Sequence, residues 1–257
     1  MVVDPTKYQV LQRLTRAHYD AHPFEFLTPG DEVNIRNLQP RAFLRFVETY
    51  AKRGMDVAEI GCGPGRGTMY LEQRGLNVTA LDLSQTSIAL ARARAPGAHF
   101  VQGNNLGLPF PDARFDLVVS DGVIHHTPDA FAAVAENVRI LKRGGHLYLA
   151  AYNRRRFYYY IYTYIGSLVR LVGKTRIGRI LVYATLFPLY YAAHLIESRG
   201  IRTLRGARNF FYDYIMTPLA SFHTREEIQL WATKSNLELL MYDPTRGNVH
   251  VFVFRKL

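Results

Sequence analysis

An acidic residue followed by closely spaced glycines is the strongest chemical signal in this sequence. Residues 57–67 read VAEIGCGPGRG, an apolar run containing Glu59 that leads into Gly61, Gly63 and Gly65. Glycine lets the backbone turn sharply and lets a ligand approach closely, because it has no Cβ atom. Glu59 can organise an ammonium group through charge-assisted hydrogen bonds. The segment predicts a loop that binds an amino-acid moiety, with a simple tight turn as the alternative.

The glycine spacing argues against a dinucleotide such as NAD. A dinucleotide fingerprint needs glycine at its first, third and sixth positions. Here Arg66 occupies the sixth position, and the spacing is Gly-x-Gly-x-Gly. The loop therefore predicts a cofactor other than a nicotinamide dinucleotide.

Two more polar residues end the next two apolar runs. Asp82 ends the run 78–82, about twenty residues after the first glycine, where a carboxylate can accept hydrogen bonds from both hydroxyls of a ribose. Asn104 follows the run 99–103, and its amide can both donate to and accept from an adenine edge. Either residue alone fits a cap or a turn. Their position at successive strand ends predicts one shared ligand site.

Alternating apolar runs and helical segments must position these residues. The apolar runs cover residues 57–60, 78–83, 99–103, 115–120 and 146–151. Helix signals lie between them, with starts at Ser84 and at Thr127 and Pro128, and stops at Pro96 and Gly97 and at Gly144 and Gly145. The pattern predicts an α/β fold with a doubly wound parallel sheet.

The C-terminal residues add a helix and two strands to this prediction. Thr224 caps a helix that runs to about residue 236, and strands follow at 237–244 and 250–257. This antiparallel hairpin completes a Rossmann-like, seven-stranded, otherwise parallel sheet. We therefore predict an N-terminal helical lid at 1–50, a core at 51–153, a helical insertion or cap at 154–212, and a C-terminal part at 213–257.

Residues 55–153 contain five motifs, which read AEIGCGPGRGTMYL, VTALDLS, GNNLGLPF, FDLVVSDGVIHHTPD and LKRGGHLYLAAYN. They resemble the motifs of class I S-adenosylmethionine-dependent methyltransferases, especially the ubiquinone and menaquinone biosynthesis group. The resemblance implies S-adenosyl-L-methionine as cofactor. Glu59 would lie near its amine, the three glycines would wrap its methionyl-ribose region, and Asp82 and Asn104 would hold ribose and adenine. The family more often has Asp at the position of Asn104. The resemblance also places four further residues at the cofactor: Cys62, Leu83, Asn105 and Asp121.

A looser resemblance links two other segments to a subgroup of bacterial methyltransferases. These segments read HYDAHPFEFL near the start and YDYIMTPLASFHTREEIQLW near the end. The resemblance implies that Tyr19, His22 and Pro23 belong to a lid and that Tyr214, His223 and Thr224 lie beside the substrate. Because the substrates of that subgroup are diverse, this resemblance carries architecture rather than a specific reaction.

Several residues are candidates for proton transfer. Methyl transfer is an in-line displacement at a sulfonium carbon, so positioning supplies most of the catalysis and no metal is required. A hydroxyl or ammonium acceptor still needs a base, and the candidates are His125, His126, His223 and Tyr214. We predict His126 and His223 as the preferred pair, with Tyr214 as a third catalytic residue. The alternative is that these histidines cap a turn and pack at a helix start.

The predicted insertion combines aromatic and basic residues. Residues 151–212 contain eleven Lys and Arg against the single acid Glu197, in a protein of net charge +11. Four interpretations compete: a lid over an apolar acceptor, a peripheral membrane contact, a nucleic-acid surface, or a homodimer interface. Aliphatic residues among the tyrosines make nucleic acid the less favoured partner. Residues 180–196 contain Pro188 and are at the short limit for a bilayer span, so we predict no transmembrane helix.

Composition sets the remaining expectations. The single cysteine, Cys62, excludes an internal disulfide framework, and no secretory signal is recognisable at the start. We expect a cytoplasmic protein, peripheral to the membrane if the insertion contacts lipid. The leading hypothesis is a methyltransferase acting on a small, largely apolar or lipid-like acceptor. The alternatives are a tRNA-modifying methyltransferase, which GVIHH also resembles, and a non-catalytic binding protein.

Overall fold

The computed structural model describes residues 5–23, 34–197 and 204–257. Its strands are β1 Asp56–Ile60, β2 Asn77–Asp82, β3 His99–Gln102, β4 Phe115–Asp121, β5 Leu141–Tyr152, β6 Leu237–Asp243 and β7 Val249–Lys256. Its helices are α1 Pro5–Ala21, α2 Arg41–Tyr50, α3 Arg66–Gln73, α4 Gln85–Arg94, α5 Ala130–Ile140, α6 Phe157–Tyr160, α7 Gly166–Val172, α8 Arg176–Glu197, α9 Leu204–Phe211 and α10 Arg225–Lys234.

The seven strands form one sheet in the order β3-β2-β1-β4-β5-β7-β6. Strands β1 to β5 are parallel, whereas β7 runs antiparallel to both β5 and β6. This confirms the predicted Rossmann-like sheet with its closing hairpin. Because the first five strands are parallel, their carboxyl ends at Ile60, Asp82, Gln102, Asp121 and Tyr152 lie along the same edge. Ligands bind outside this edge in open α/β sheets.

Both faces of the sheet are covered. Alternate residues of β5 face opposite layers, so Tyr148 packs with Phe43 and Phe46 of α2 while Leu149 packs with Val134 of α5. All of these side chains are buried. Burial on both faces explains why the core strands are continuous apolar runs rather than alternating ones.

One predicted boundary was wrong. The sequence predicts that α5 continues to Arg143, but the helix ends at Ile140 and β5 begins at Leu141. Leu141 is fully buried and pairs with Phe115, and the ladder shifts register before Leu117. Burial of Leu141 in the sheet overrides the helical preference of the local sequence.

The helix starts follow the expected side-chain chemistry. Ser84 accepts a hydrogen bond from the Ser87 N–H at 3.1 Å, which caps α4. Thr224 and Glu227 form a capping box at the start of α10, as the sequence predicts. The start of α5 is capped by Asp129, two residues beyond the predicted Thr127.

The predicted insertion is helical. Helix α6, a π-helical turn at Ile161–Ile165 and α7 follow one another without a break, and α8 contains Pro188. The segment predicted to be a helical insertion is therefore helical in its described residues, and its first helical run contains this π-helical turn. None of the helices in the described ranges is both long enough and apolar enough to cross a bilayer.

Helix α1 lies across the carboxyl edge of the sheet. Its Tyr8 hydroxyl donates to Asp129 at 3.1 Å, and its Asp20 accepts from the Ser84 hydroxyl at 2.7 Å. These contacts attach α1 to the starts of α5 and α4. Residues 1–4 and 24–33 of the predicted lid, including the end of the HYDAHPFEFL motif, lie outside the described residues.

Candidate active site

The glycines after β1 serve two different purposes. Gly61, Gly63 and Gly65 all have positive φ angles, at 76°, 51° and 89°. A Cβ atom at Gly61 would overlap Val123, and one at Gly65 would lie 2.9 Å from the Cα of Ala91 in α4. A Cβ at Gly63 would have no neighbour within 4 Å. Two glycines therefore permit close packing, while Gly63 leaves open space beside the loop.

Asp82 at the end of β2 faces this loop. Its Oδ2 accepts a hydrogen bond from the Gly63 N–H and its Oδ1 accepts one from the Ser84 N–H, both at 2.8 Å. Burial raises the pKa of Asp82, and these backbone donors oppose that shift. Each carboxylate oxygen keeps a further lone pair. Asp82 can therefore still accept hydrogen bonds from ligand hydroxyls.

Glu59 lies beneath the glycine loop. Its Oε2 accepts a hydrogen bond from the Thr68 hydroxyl at 2.5 Å, and its carboxylate packs directly against Gly67. Burial raises the pKa of Glu59 to about 8, against the opposing effect of the Thr68 hydrogen bond. With no added positive charge, the side chain is mostly protonated at neutral pH. A nearby ammonium group would favour its ionised form.

Asp121 ends β4 on the same edge. It forms an ion pair with Arg66 at 2.8 Å, and burial raises its pKa. Asp121 also lines a cleft of about 670 Å³ between the start of α2 and the β6–β7 hairpin. Tyr148 lines this cleft too, and its buried hydroxyl has no hydrogen-bond partner in the described parts of the chain. The cleft is thus lined by a carboxylate and by a tyrosine whose buried hydroxyl is unpaired among the described residues.

The remaining predicted cofactor residues have different surroundings. Asn104 accepts a hydrogen bond from the Leu106 N–H at 3.0 Å, which closes a local turn. Asn105 is 5% exposed, and neither atom of its amide has a partner among the described residues. Cys62 is buried with its Sγ 3.5 Å from the Gly63 carbonyl, and the Leu83 carbonyl accepts from Gln102 at 3.2 Å. Asn105 is therefore buried with an unpaired amide, whereas the Oδ1 of Asn104 is already bonded within its own turn.

These residues fit S-adenosylmethionine chemically. The site offers an acid for an ammonium group, a carboxylate with spare lone pairs for a ribose, a buried unpaired amide for a base edge, and open space beside Gly63. Within the described ranges, no group of three or more His, Cys, Asp or Glu residues is arranged to hold a metal ion.

A second group of polar side chains lies where α1, β5 and the turn after α9 meet. We call Tyr19, His126, Tyr152 and Asp213 the Asp213 cluster. Tyr19 donates to Asp213 Oδ1 at 2.9 Å, and Tyr152 donates to Oδ2 at 3.4 Å. Burial raises the pKa of Asp213, while the charge of His126 and these hydroxyls lower it. The cluster holds a carboxylate between two hydroxyls and a histidine.

His126 is oriented by the backbone. Its Nδ1 lies 2.7 Å from the carbonyl oxygen of Leu219, which can only accept a hydrogen bond, so Nδ1 carries the proton. The ring packs edge-on against Tyr19 and Tyr152, with centroids 5.8 Å and 5.5 Å away. In the neutral ring, Nε2 is then the proton acceptor.

The adjacent His125 has a structural role. Its ring is 1% exposed and stacks on Tyr152 with centroids 3.6 Å apart, and its Nδ1 accepts from the Tyr152 N–H at 3.2 Å. Burial lowers its pKa well below the usual range, so this ring stays neutral.

His223 and Tyr214 occupy separate surroundings. His223 contacts Ser221 at 2.8 Å and stacks edge-on against Trp231 with centroids 4.7 Å apart, and burial lowers its pKa to about 4. The predicted pair of His126 and His223 is thus divided between two environments. The ring of Tyr214 packs 5.0 Å from that of Tyr158, beside the Asp213 cluster.

Asp213 was not among the sequence candidates. Its signal was available, since it is an isolated carboxylate within the aromatic segment YDYIM. Buried carboxylates need hydrogen-bond donors, but here the donors come from residues 194 and 61 positions away. No local pattern reveals such partners.

Comparisons with known proteins identify a methyltransferase domain in this chain. Residues 58–149 match a family model described as a methyltransferase domain. A probable S-adenosylmethionine-dependent methyltransferase of Mycolicibacterium smegmatis is 38% identical over 104 residues, 40% of each chain. A phthiotriol/phenolphthiotriol dimycocerosates methyltransferase of Mycobacterium tuberculosis is 40% identical over 97 residues, 36% of each chain. The match therefore spans about two fifths of the length of these curated relatives.

Solved structures extend the likeness in fold. The 1,6-didemethyltoxoflavin-N1-methyltransferase of Burkholderia thailandensis is similar with a TM-score of 0.59, covering 100% of this chain and 92% of that chain at 16% identity. At this identity the likeness concerns the fold alone. Residues 58–149 therefore carry a methyltransferase domain, and their glycine loop lies at the carboxyl edge of the sheet that the motifs predict.

Proposed function

We propose that this protein transfers a methyl group from S-adenosylmethionine to a small, largely apolar or lipid-like acceptor. The observation that carries the proposal is the Asp213 cluster, which places a histidine and a carboxylate among aromatic rings at the carboxyl edge. His126 follows β4, whose last residue, Asp121, belongs to the proposed cofactor site. Cofactor and acceptor would therefore lie beside the same strand end.

In this proposal the cofactor supplies a methyl group on a sulfonium centre. Glu59 binds its ammonium group, Asp82 accepts from the ribose hydroxyls, and Asn105 pairs with the adenine edge. Asn104, which the motif resemblance favours for the adenine, instead holds the local turn at Leu106. Most of the rate enhancement comes from holding methyl and acceptor in line.

His126 is the proposed base. Its Nδ1–H is committed to the Leu219 carbonyl, so its Nε2 lone pair takes the proton that the acceptor loses when the new bond to the methyl group forms. Asp213 stabilises the resulting imidazolium by its negative charge. Tyr19 and Tyr152 hold that carboxylate in place, so they act as positioning residues.

The aromatic surroundings favour an apolar acceptor. The ring of Tyr152 packs against Tyr158 with centroids 5.1 Å apart, and Phe222 stacks on Tyr152 at 5.4 Å. Aromatic side chains around a small number of fixed polar groups are typical of sites for apolar ligands. The M. tuberculosis relative named for phthiotriol dimycocerosates supports the lipid-like acceptor by analogy.

A transfer assay tests the proposal. The purified protein is incubated with methyl-labelled S-adenosylmethionine and a bacterial extract divided into lipid, small-molecule and RNA fractions. We expect label in the lipid or small-molecule fraction, and about a tenfold or greater loss for His126→Gln with cofactor affinity unchanged. Label in RNA would establish the tRNA alternative instead. No label in any fraction, with the cofactor bound, would favour a non-catalytic binding protein.

Three further expectations belong to this proposal. They are the division into lid, core, cap and C-terminal part, a cytoplasmic location, and a relation to the ubiquinone and menaquinone biosynthesis group. The lid and cap are supported by α1 and residues 212–216 meeting at Asp213.

A further inference from the structure

The cap exposes an unusual amount of apolar surface. Of the 19 large hydrophobic side chains that are exposed in the described residues, 12 lie between Phe157 and Ile196. Seven of these surround the turn between α7 and α8, which we call the hairpin tip: Ile165, Leu168, Leu171, Val172, Ile177, Ile180 and Leu181. Leu168 is 67% exposed and Ile177 is 73% exposed. Contiguous exposed apolar residues of this kind mark an interaction surface.

The exposed apolar side chains of the hairpin tip are not part of the hydrophobic core between α7 and α8. The inner sides of the same two helices already pack, because Val169 of α7 and Val182 and Phe187 of α8 are buried together with Phe211. The cap thus has one packed face and one apolar face turned to solvent. A helix pair with both features is suited to lying at an interface rather than to further folding.

Positive charges accompany the exposed apolar residues. Lys174, Arg176 and Arg179 are exposed at the hairpin tip. None of the three has an acidic partner within ion-pair distance among the described residues. The sequence from residue 155 to residue 196 contains no Asp or Glu at all. These cations are therefore available to an anionic partner.

We propose that the hairpin tip docks on an anionic lipid surface, with its aliphatic side chains inserted and its three cations at the head groups. A second copy of the chain is disfavoured because a two-fold interface would bring identical positive tips together. Nucleic acid is disfavoured because the surface consists mainly of aliphatic side chains. This inference rests on the proposed lipid-like acceptor, since docking would bring the site to a lipid surface.

The tip is mechanically connected to the candidate acceptor site. Arg170 of α7 donates to the Ile215 carbonyl at 3.2 Å, and Gly173 packs closely against Met216. Both partners lie in the turn Tyr212–Met216, which contains Asp213. The hairpin tip is therefore joined directly to the turn that carries Asp213.

Vesicle co-sedimentation of the full chain tests the proposal. Vesicles of phosphatidylcholine with about 30% phosphatidylglycerol are compared with pure phosphatidylcholine, at low and high salt. Each Lys or Arg near an anionic surface strengthens binding roughly fivefold. The variant Lys174→Ser/Arg176→Ser/Arg179→Ser should therefore bind anionic vesicles on the order of 100-fold more weakly than the wild type. High salt should weaken wild-type binding and leave a residual part due to the apolar side chains.

A matched control separates local from overall charge. The variant Lys52→Ser/Arg53→Ser/Arg74→Ser removes the same charge from exposed residues at the amino edge of the sheet, away from the cap. It should bind like the wild type. A second variant, Leu168→Ser/Leu171→Ser/Ile177→Ser, should lose the salt-resistant part of binding, with circular dichroism confirming that it folds.

Three results would overturn the proposal. One is wild-type protein that stays in the supernatant with anionic vesicles at low salt. Another is an equal loss of binding in both charge variants. The third is self-association in sedimentation velocity that the apolar variant abolishes, because the tip would then be a dimer interface. None of these assays uses the cofactor or an acceptor, so the transfer assay with labelled S-adenosylmethionine separates their failure from failure of the proposed function.

Discussion

Asp82 and Asp213 are both carboxylates whose pKa is raised by burial, but their hydrogen-bond donors differ in kind. Asp82 accepts from two backbone N–H groups, of Gly63 and Ser84, that lie 19 and 2 positions away. Asp213 accepts from two side-chain hydroxyls that lie 194 and 61 positions away. Backbone donors are present in any sequence that adopts the loop, whereas tyrosine donors require distant elements to meet. The proposed cofactor side is thus organised by the backbone of one β-α-β unit, and the proposed acceptor side by contacts between elements far apart in the chain.

The largest effect should come from the glycine loop. Gly65→Ala forces a side chain into positive φ and drives its Cβ into the backbone of Ala91, so we expect a loss of about 3 kcal/mol in unfolding free energy. Gly54→Ala is the control, since Gly54 also has positive φ but nothing within 4 Å of the added atom. Gly54→Ala should lower the free energy of unfolding by about 1 kcal/mol. If urea unfolding gave the same loss of stability for Gly65→Ala and Gly54→Ala, the contact with Ala91 would contribute nothing to the effect.

Glu59 should make the stability of the protein sensitive to pH. Its pKa is raised to about 8 when folded, so the native state holds a proton that the unfolded chain releases above about pH 4.5. The free energy of unfolding should therefore fall as pH rises from about 4.5 to about 8, by up to about 1.4 kcal/mol per pH unit. The variant Glu59→Gln should not show this fall.

The measurement is urea unfolding of the wild type and of Glu59→Gln at pH 5.5, 6.5 and 7.5, without cofactor. Glu238→Gln serves as the control, because Glu238 is exposed and pairs only at the surface with Arg255. Parallel pH profiles for wild type and Glu59→Gln would contradict the raised pKa.

Asp82→Ala should weaken cofactor binding without disturbing the acceptor side. Removing a charged acceptor of hydrogen bonds costs about 2 kcal/mol, or roughly 30-fold in affinity. Titration calorimetry with S-adenosylmethionine measures this, and Asp112→Ala, at an exposed acid, is the comparison. Unchanged affinity in Asp82→Ala would remove the ribose assignment, and preference for NAD would remove the cofactor assignment altogether.

Asp213→Asn should slow methyl transfer and leave cofactor affinity unchanged, which is the reverse of the effect expected for Asp82→Ala. We expect turnover to fall about tenfold, equivalent to about 1.4 kcal/mol, because the neutral amide no longer stabilises a charged His126. Cofactor affinity should not change, and the pH dependence of turnover should shift, which a purely structural defect would not produce. If Asp213→Asn weakened the cofactor as much as Asp82→Ala, the division of the site into two independent halves would be wrong.

The histidines show why part of the candidate site escaped prediction. The histidines of GVIHH were visible as candidates, yet the structure gives His125 a buried stacking role and leaves His126 beside Asp213. The sequence predicts His223 as the partner of His126, but the ring of His223 packs on Trp231 of α10. Which of several histidines meet depends on how helices pack, and one-dimensional spacing does not contain that information.

The sequence by itself determined the sheet, its closing hairpin, and the residues that follow β1 and β2. Each of these depends on short-range rules: two-sided burial makes continuous apolar strands, and a positive φ favours glycine. Tertiary structure alone decided that Leu141 joins the sheet, that Asn105 rather than Asn104 keeps an unpaired amide, and that Asp213 lies between Tyr19 and Tyr152. These outcomes depend on contacts between elements far apart in the chain, whose packing energies no local pattern encodes.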